Sequence, residues 1–325
     1  MGKKYEQDLF YASSAIKVME AKSAPKEILN KIIEAKDYEE AKRIFSDAKF
    51  GSGNESDFET ALTNEQNEMY AAVTEILQDG GEEIVKVFKY QYDCQNIKAF
   101  AKAFVFSSGL NKDNLFSCGT LSPDEIETGI KYKTFDSFEK EFAQAAEKGC
   151  EAAAKENDPR IIDTELDKAC FALMLRTAEE SGIPFLTEAV KRRIDIVNIS
   201  LFLRLKNRNG SKALLDDSLC DGGNIKKEKL SDAFESGDFT DALSECGFGE
   251  LAQELKNSGG DEGVICEKAY LEKALETKYT PFGAAPIISY LMLKENEIKN
   301  YRVAMVGKKV NLSPEAIRKR ICAVE

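Results

Sequence analysis

An all-α protein made of three pseudo-repeats is what this sequence predicts, and three observations carry that reading. Only 7 of 325 residues are proline and none is tryptophan, while 43% are hydrophobic and 31% charged. That balance, rich in Ala, Glu, Lys and Leu, favours helix over strand and supplies a sizeable core. Apolar residues recur at steps of three or four, as at Val190, Ile194, Val197, Leu201 and Leu205 or at Ile97, Phe100 and Phe104. No convincing period-two series accompanies them. An acid three residues before an asparagine also occurs three times: Asp93 and Asn96, Asp195 and Asn198, Glu297 and Asn300. The asparagines at 96, 198 and 300 are 102 residues apart both times.

A repeat needs an independent marker in the same register. An Asp closely followed by an aromatic (Asp37-Tyr38, Asp136-Ser137-Phe138, Asp238-Phe239) precedes the three asparagines by 59, 62 and 62 residues. A third marker opens an amphipathic run at Ser23, Leu121, Ile225 and Leu312. In Ser122-Pro123-Asp124-Glu125 the serine caps a helix, proline takes its first position and glutamate closes a capping box. Acids in that first turn also suit the helix dipole. Glycines at Gly51–Gly53, Gly80-Gly81, Gly222-Gly223 and Gly259-Gly260 mark breaks. The expected domains are repeat 1 at 1–118, repeat 2 at 119–222 and repeat 3 at 223–325, its C-terminal half-unit closing on the first.

Composition excludes several functions. A formal charge of −12 argues against nucleic acid as a partner. The 8 cysteines lie at least 20 residues apart with no Cys-x-x-Cys, a pattern of buried intracellular thiols rather than a disulfide or zinc framework. "MGKKYEQDLF" has no apolar signal region, and Glu6 stands where myristoylation requires Ser or Thr. The longest apolar runs, such as Ala169–Leu175, fall far short of the roughly 18 residues of a spanning helix. A cytosolic chain is expected. With no histidine, Ser–His and Cys–His systems, histidine–metal sites and imidazole bases are excluded.

The acid–asparagine pairs share one helix face and suit a hard cation by type. Recurring in one register without further acids, they read instead as structural hydrogen-bonding residues. Charge segregates around them. Residues 189–212 carry +6, residues 299–320 carry +6 and residues 86–102 carry +3. Either these are solvated helix faces, or they form one electropositive surface for an acidic partner. A separate string, Asp216, Asp217 and Asp221, has the acids of a magnesium site but lies between Asn209-Gly210 and Gly222-Gly223. Gly307-Lys308-Lys309 lacks the upstream glycine and the Ser/Thr of a P-loop.

Several stretches resemble the C subunit of the prokaryotic V/A-type ATPases, the counterpart of the d subunit in eukaryotic vacuolar ATPases. They are "FYASSAIKVMEAK" (10–22), "YDCQNIKAFAKA" (92–103), "DKACFALML" (167–175) and the block from Pro281 to Ile321. Within that block Phe282-Gly283, Lys294-Glu295-Asn296-Glu297-Ile298, Asn300, Arg302 and Leu312-Ser313-Pro314 are the most specific. Cys94-Gln95 departs from the family's usual aromatic or apolar residue followed by histidine. The resemblance implies an all-α funnel with pseudo-threefold symmetry on the cytoplasmic face of the membrane. It implies a non-catalytic rotor part, held peripherally by the proteolipid ring and the central-stalk subunits, without cofactor, metal or small-molecule substrate. Arg192, Arg193, Arg318, Lys319 and Arg320 are the candidate partner contacts. The competing expectations are a helical-repeat scaffold of another cytosolic assembly and a magnesium-dependent enzyme using Asp216, Asp217 and Asp221.

Overall fold

Where side-chain oxygens can take the orphan amides of a first turn, helices begin. Ser122 Oγ accepts from Glu125 N at 3.3 Å while Glu125 Oε2 accepts from Ser122 N at 2.8 Å, a closed capping box. Asp37 caps in the same way, its carboxylate accepting from Glu40 N at 2.9 Å. Ser211 and Ser313 accept from Leu214 N and Ala316 N. Asp136 instead lies in a turn, four residues before the next helix starts at Lys140.

The computed structural model describes residues 2–21, 26–47, 50, 57–77, 80–236 and 239–324. The expected markers at Ser23, Gly51–Gly53 and Asp238 lie outside them. In chain order the helices are α1 (Gly2–Glu20), α2 (Lys26–Glu34), α3 (Tyr38–Ser46), α4 (Phe58–Leu77), α5 (Glu82–Val105), α6 (Pro123–Tyr132), α7 (Lys140–Glu156) and α8 (Arg160–Glu180). They continue as α9 (Pro184–Asn207), α10 (Lys212–Ser218), α11 (Lys227–Ser236), α12 (Thr240–Ser244), α13 (Gly249–Lys256), α14 (Glu262–Leu275), α15 (Ala284–Lys309) and α16 (Pro314–Arg318). Among the described residues there is no strand. The fold is all-α. Two compact units form, one from Met1–Glu82 with Glu250–Glu325, the other from Glu83–Gly249.

In the first unit α15 is the central helix, packed against α1, α2, α3, α4, α14 and α16. Its Tyr301 is 1% exposed and meets the rings of Phe50 at 4.6 Å and Phe45 at 6.2 Å, both edge-on. Ile298 and Met305 extend this face toward Ile32 and Ile317. At Gly307 a Cβ would stand 2.7 Å from Ile317 Cγ1, so the glycine lets α16 close onto α15. The buried Lys308 donates to Ala35 O at 2.7 Å, satisfying the C-terminal end of α2.

In the second unit small residues decide the packing. Ala145, Ala146 and Ala153 are buried on α7, and Gly149 brings its backbone close to Ile162 and Glu165 of α8. Arg176 ties that pair together through Glu141 at 2.7 Å and Glu139 at 3.2 Å. Of the expected stripe on α9, Val190, Ile194 and Leu205 are buried while Val197 and Leu201 are only half-buried; Ile196, Ile199 and Phe202 are buried beside it, because neighbouring helices cover more than one side of α9. On α5 the stripe ends early. Ile97 and Phe100 are buried, but Phe104 is 52% exposed because it lies on the helix's last turn.

Truncating Tyr301→Ala removes the ring at the centre of the first unit's aromatic cluster. Chemical unfolding should show a loss of about 3–5 kcal/mol.

Candidate functional site

The three repeated asparagines occupy one local environment. Asn96 Nδ2 donates to Phe116 O at 2.7 Å, and its Oδ1 accepts from Phe116 N at 2.9 Å. Asn198 makes the same pair with Cys220 O and N, each at 2.9 Å. Asn300 makes it with Cys322 O at 2.8 Å and N at 3.0 Å. Each carboxamide therefore satisfies both main-chain groups of one residue that a helix leaves behind. We call this arrangement a clasp.

The acid one turn earlier holds the same loop a little further on. Asp93 is 0% exposed and accepts from Thr120 N at 2.9 Å, Thr120 Oγ1 at 2.6 Å and Leu121 N at 3.0 Å. Asp195, equally buried, accepts from Asn224 N at 3.0 Å and Ile225 N at 2.9 Å. In both clasps the acid takes the amides four and five residues beyond the clasped residue. A glycine precedes those amides for a geometric reason. A Cβ on Gly119 would lie 2.1 Å from Asp93 Oδ1, and one on Gly223 would lie 2.2 Å from Asp195 Oδ1.

Burial holds both carboxyls above the ordinary aspartate value of 3.8. The Thr120 hydroxyl and the Leu121 and Thr120 amides pull Asp93 back, as the Ile225 and Asn224 amides pull Asp195. The third clasp is built differently. Glu297 pairs with the buried Lys294 ammonium at 3.1 Å, and that ammonium also lies 2.8 Å from Glu65. Asn296 adds a second donor to Cys322 O at 2.9 Å, leaving its own Oδ1 buried without a hydrogen-bond partner. Beside it a cavity of about 600 Å³ opens in the first unit, lined by Leu29, Ile33, Tyr290, Asn296, Glu297 and Arg318 among others.

The other candidate residues are placed as follows. Arg192 stacks its guanidinium 5.1 Å from the Phe248 ring, and Arg193 is half-buried beside it in sequence. Arg318 pairs with Glu34, Arg320 Nη1 donates to Ala316 O at 2.6 Å, and Lys319 closes α16. Much of the basic surplus is matched inside the fold: Lys98 with Asp167, Lys102 with Asp163, Lys212 with Glu235, Lys299 with Glu267 and Arg302 with Glu59. Asp216 and Asp217 sit on α10 and Asp221 beyond its end; Asp217 meets Lys168 at 3.6 Å and Asp221 meets Lys227 at 2.6 Å. Among the described residues no group of three or more His, Cys, Asp or Glu is gathered to hold a metal.

The clasped backbone carries a signal of its own. Cys118, Cys220 and Cys322 repeat at the same 102-residue spacing as the asparagines, and two of them are the clasped residues. In the first clasp the chain slips by two, so that Phe116 takes the place of Cys118. Gly119 and Gly223 complete the signature.

Acids and amides directed at the chain's own backbone define an all-helical scaffold. Residues 12–320 match the family described as the ATP synthase (C/AC39) subunit, and the chain belongs to that family. Relatives include the C subunit of the V-type sodium ATPase of Enterococcus hirae, 25% identical over 83% of this chain and 83% of that protein. The C subunit of the A-type ATP synthase of Methanocaldococcus jannaschii is 26% identical over 95% of this chain and 84% of its own length. That of Thermococcus kodakarensis is 22% identical over 95% and 88%. Family membership makes the chain an accessory component of a V/A-type ATPase complex, distinct from the catalytic ones. Among the described residues no helix is long and apolar enough to cross a membrane.

Gly119→Ala and Gly223→Ala push a methyl into a buried carboxylate and should each cost about 1–3 kcal/mol in urea unfolding. Asn198→Ala orphans two buried main-chain groups and should cost about 2 kcal/mol or more by the same measurement.

A pH series tests the clasp's electrostatics. Because the folded value of Asp93 is raised, its stabilising contribution is complete below 3.8 and is lost as pH rises through the folded value. Wild type should therefore lose stability relative to Asp93→Asn as pH rises across that window. A relative gain would mean that amide donation outweighs burial.

Proposed function

We propose that this chain is the non-catalytic central-rotor component of its V/A-type rotary ATPase. In this reading it is the socket that couples the central stalk to the membrane proteolipid ring and transmits torque for proton or sodium transport. It would sit peripherally on the cytoplasmic face, held by protein partners. The observation that supports this most is the family match across residues 12–320, together with relatives named as the C subunits of both V-type and A-type machines. The organisation into three helical repeats, 1–118, 119–222 and 223–325, belongs to the same proposal, with the shared clasp geometry in its favour. Stiff joints between helix and loop suit a part that must carry torque rather than absorb it.

Deleting the protein from the native complex should leave ATP hydrolysis by the detached head while abolishing ATP-driven ion uptake into membrane vesicles. Affinity purification of the tagged chain from solubilised membranes should recover proteolipid and stalk subunits. Recovery of neither, with ion uptake intact in the deletion strain, would sink the reading. In the same assay, Arg318→Glu combined with Lys319→Glu and Arg320→Glu should weaken partner retention if that basic turn is a contact.

A further inference from the structure

The cavity of about 600 Å³ in the first unit is used neither by the clasps nor by the proposed rotor role. Pockets that take small organic molecules run from roughly 300 to 1,000 Å³. Helices α2, α14 and α15 give this one apolar walls through Leu29, Ile33, Leu275 and Leu293. Two polar side chains in its lining lack partners. Tyr290 is 5% exposed, and its hydroxyl makes no hydrogen bond among the described residues. Asn296 is 6% exposed; its Nδ2 donates to Cys322 O, and its Oδ1 is buried without a partner. Buried polar atoms are nearly always hydrogen-bonded, so two such atoms at one cavity point to a ligand that bonds them. Acids gather there as well. Glu20 and Glu297 line the cavity. Burial raises the Tyr290 hydroxyl above its ordinary value, and Glu65, Glu297 and Glu20 raise it further, so it stays protonated. The cations of the lining are already engaged: Lys294 with Glu65 at 2.8 Å and Glu297 at 3.1 Å, Arg318 with Glu34, and Lys26 with Val324 O at 2.9 Å.

We propose that this cavity binds a small primary amine with an apolar body, its ammonium donating to the Tyr290 hydroxyl oxygen. An ammonium carries three donors and no acceptor. It therefore suits a lining whose unbonded atoms are the Tyr290 oxygen and Asn296 Oδ1 and whose nearby charges include the Glu20 and Glu297 carboxylates. Hydrogen bonds from a charged donor are also the stronger kind. The alkyl or phenylalkyl body covers Leu29, Ile33, Leu275 and Leu293, removing their apolar surface from water. A carboxylate ligand brings acceptors to acceptors and finds every lining cation engaged. An alcohol satisfies one oxygen but gains nothing from the acids. The bound amine would pack between α2 and α15, the helix that carries the third clasp.

Isothermal titration of the full-length chain with phenylbutylamine at neutral pH tests this, with phenylbutanol and phenylbutanoate as the neutral and anionic counterparts. The amine should bind at one equivalent, roughly tenfold or more tighter than either counterpart. Tyr290→Phe removes the hydroxyl and keeps the ring, and should weaken the amine roughly five- to tenfold. Leu293→Phe, at a half-buried position of the lining, carries a ring into the cavity and should abolish binding. Tyr279→Phe, on a side chain 89% exposed and outside the cavity, should leave affinity unchanged. Thermal unfolding followed by circular dichroism separates loss of the site from loss of the fold. Should Tyr290→Phe misfold, the ranking of the three probes on the wild-type chain decides. No saturable heat from the amine, equal affinity for the alcohol or the acid, or unchanged affinity in a folded Tyr290→Phe overturns the proposal.

Discussion

A buried aspartate that closes on backbone amides is the constraint on which much of this fold depends. A carboxylate taken out of water is costly unless hydrogen bonds replace its hydration. Asp93 and Asp195 meet part of that demand with two successive main-chain N–H groups each, and Asp93 with the Thr120 hydroxyl as well, while burial still holds both carboxyls above the ordinary value. Such amides are available here because the chain has left one helix and bends past the acid before the next begins. The loop is therefore locked at the acid and, four to five residues earlier, at the asparagine. The glycine requirement follows from the same geometry: close approach of the backbone to Oδ1 leaves no room for Cβ at 119 or 223. One motif thus dictates the loop path, its residue types and the entry into the next capped helix.

Charge obeys a related economy of space. The chain is acidic at −12, yet its asparagine-bearing helices are locally basic. Their cations face acids of neighbouring helices within each unit, as Lys102 faces Asp163 and Lys299 faces Glu267. Surface pairs of this kind contribute little individually, about 0–1 kcal/mol. Their value lies in register: the 2.5 Å pairs of Lys98 and Lys102 fix α5 against α8 to a single rotational setting. Lys98 and Lys294 differ in being buried, at 7% and 6% exposed, and Lys294 is held by both Glu65 and Glu297. Removing one acid there would leave a buried ammonium undercompensated.

Much of this is legible in the sequence alone. Helical periodicity and the cap at Ser122 translate directly into α6 and the long helices, because capping and amphipathicity are local physics. The repeated Asn positions are also visible, since a side chain with one donor and one acceptor is a rare match to a whole peptide group. What each Asn holds is not visible, because Phe116, Cys220 and Cys322 are 20 to 22 residues away. The exposure of Phe104 is hidden for a similar reason: periodicity marks a face but not where its packing partner stops. The basic segments look like a surplus for a partner because opposing acids such as Asp163 and Glu59 lie far off in sequence.

The third clasp shows how the motif can be varied without being lost. Asn300 keeps the full bidentate grip on Cys322, so the backbone requirement is unchanged. The acid is longer by one methylene, half-buried rather than buried, and draws a lysine into the interior. That ammonium is shared between Glu297 and Glu65, across α15 and α4. A charge pair tolerates sliding better than a bidentate amide contact, because Coulomb energy varies slowly with angle. Asn296 doubles the bond to Cys322 O, and its own Oδ1 is buried without a hydrogen-bond partner. Beside these groups lies the cavity of the first unit. The backbone grip there rests on the carboxamides of Asn300 and Asn296, with the charge cluster beside them supplying attraction rather than direction.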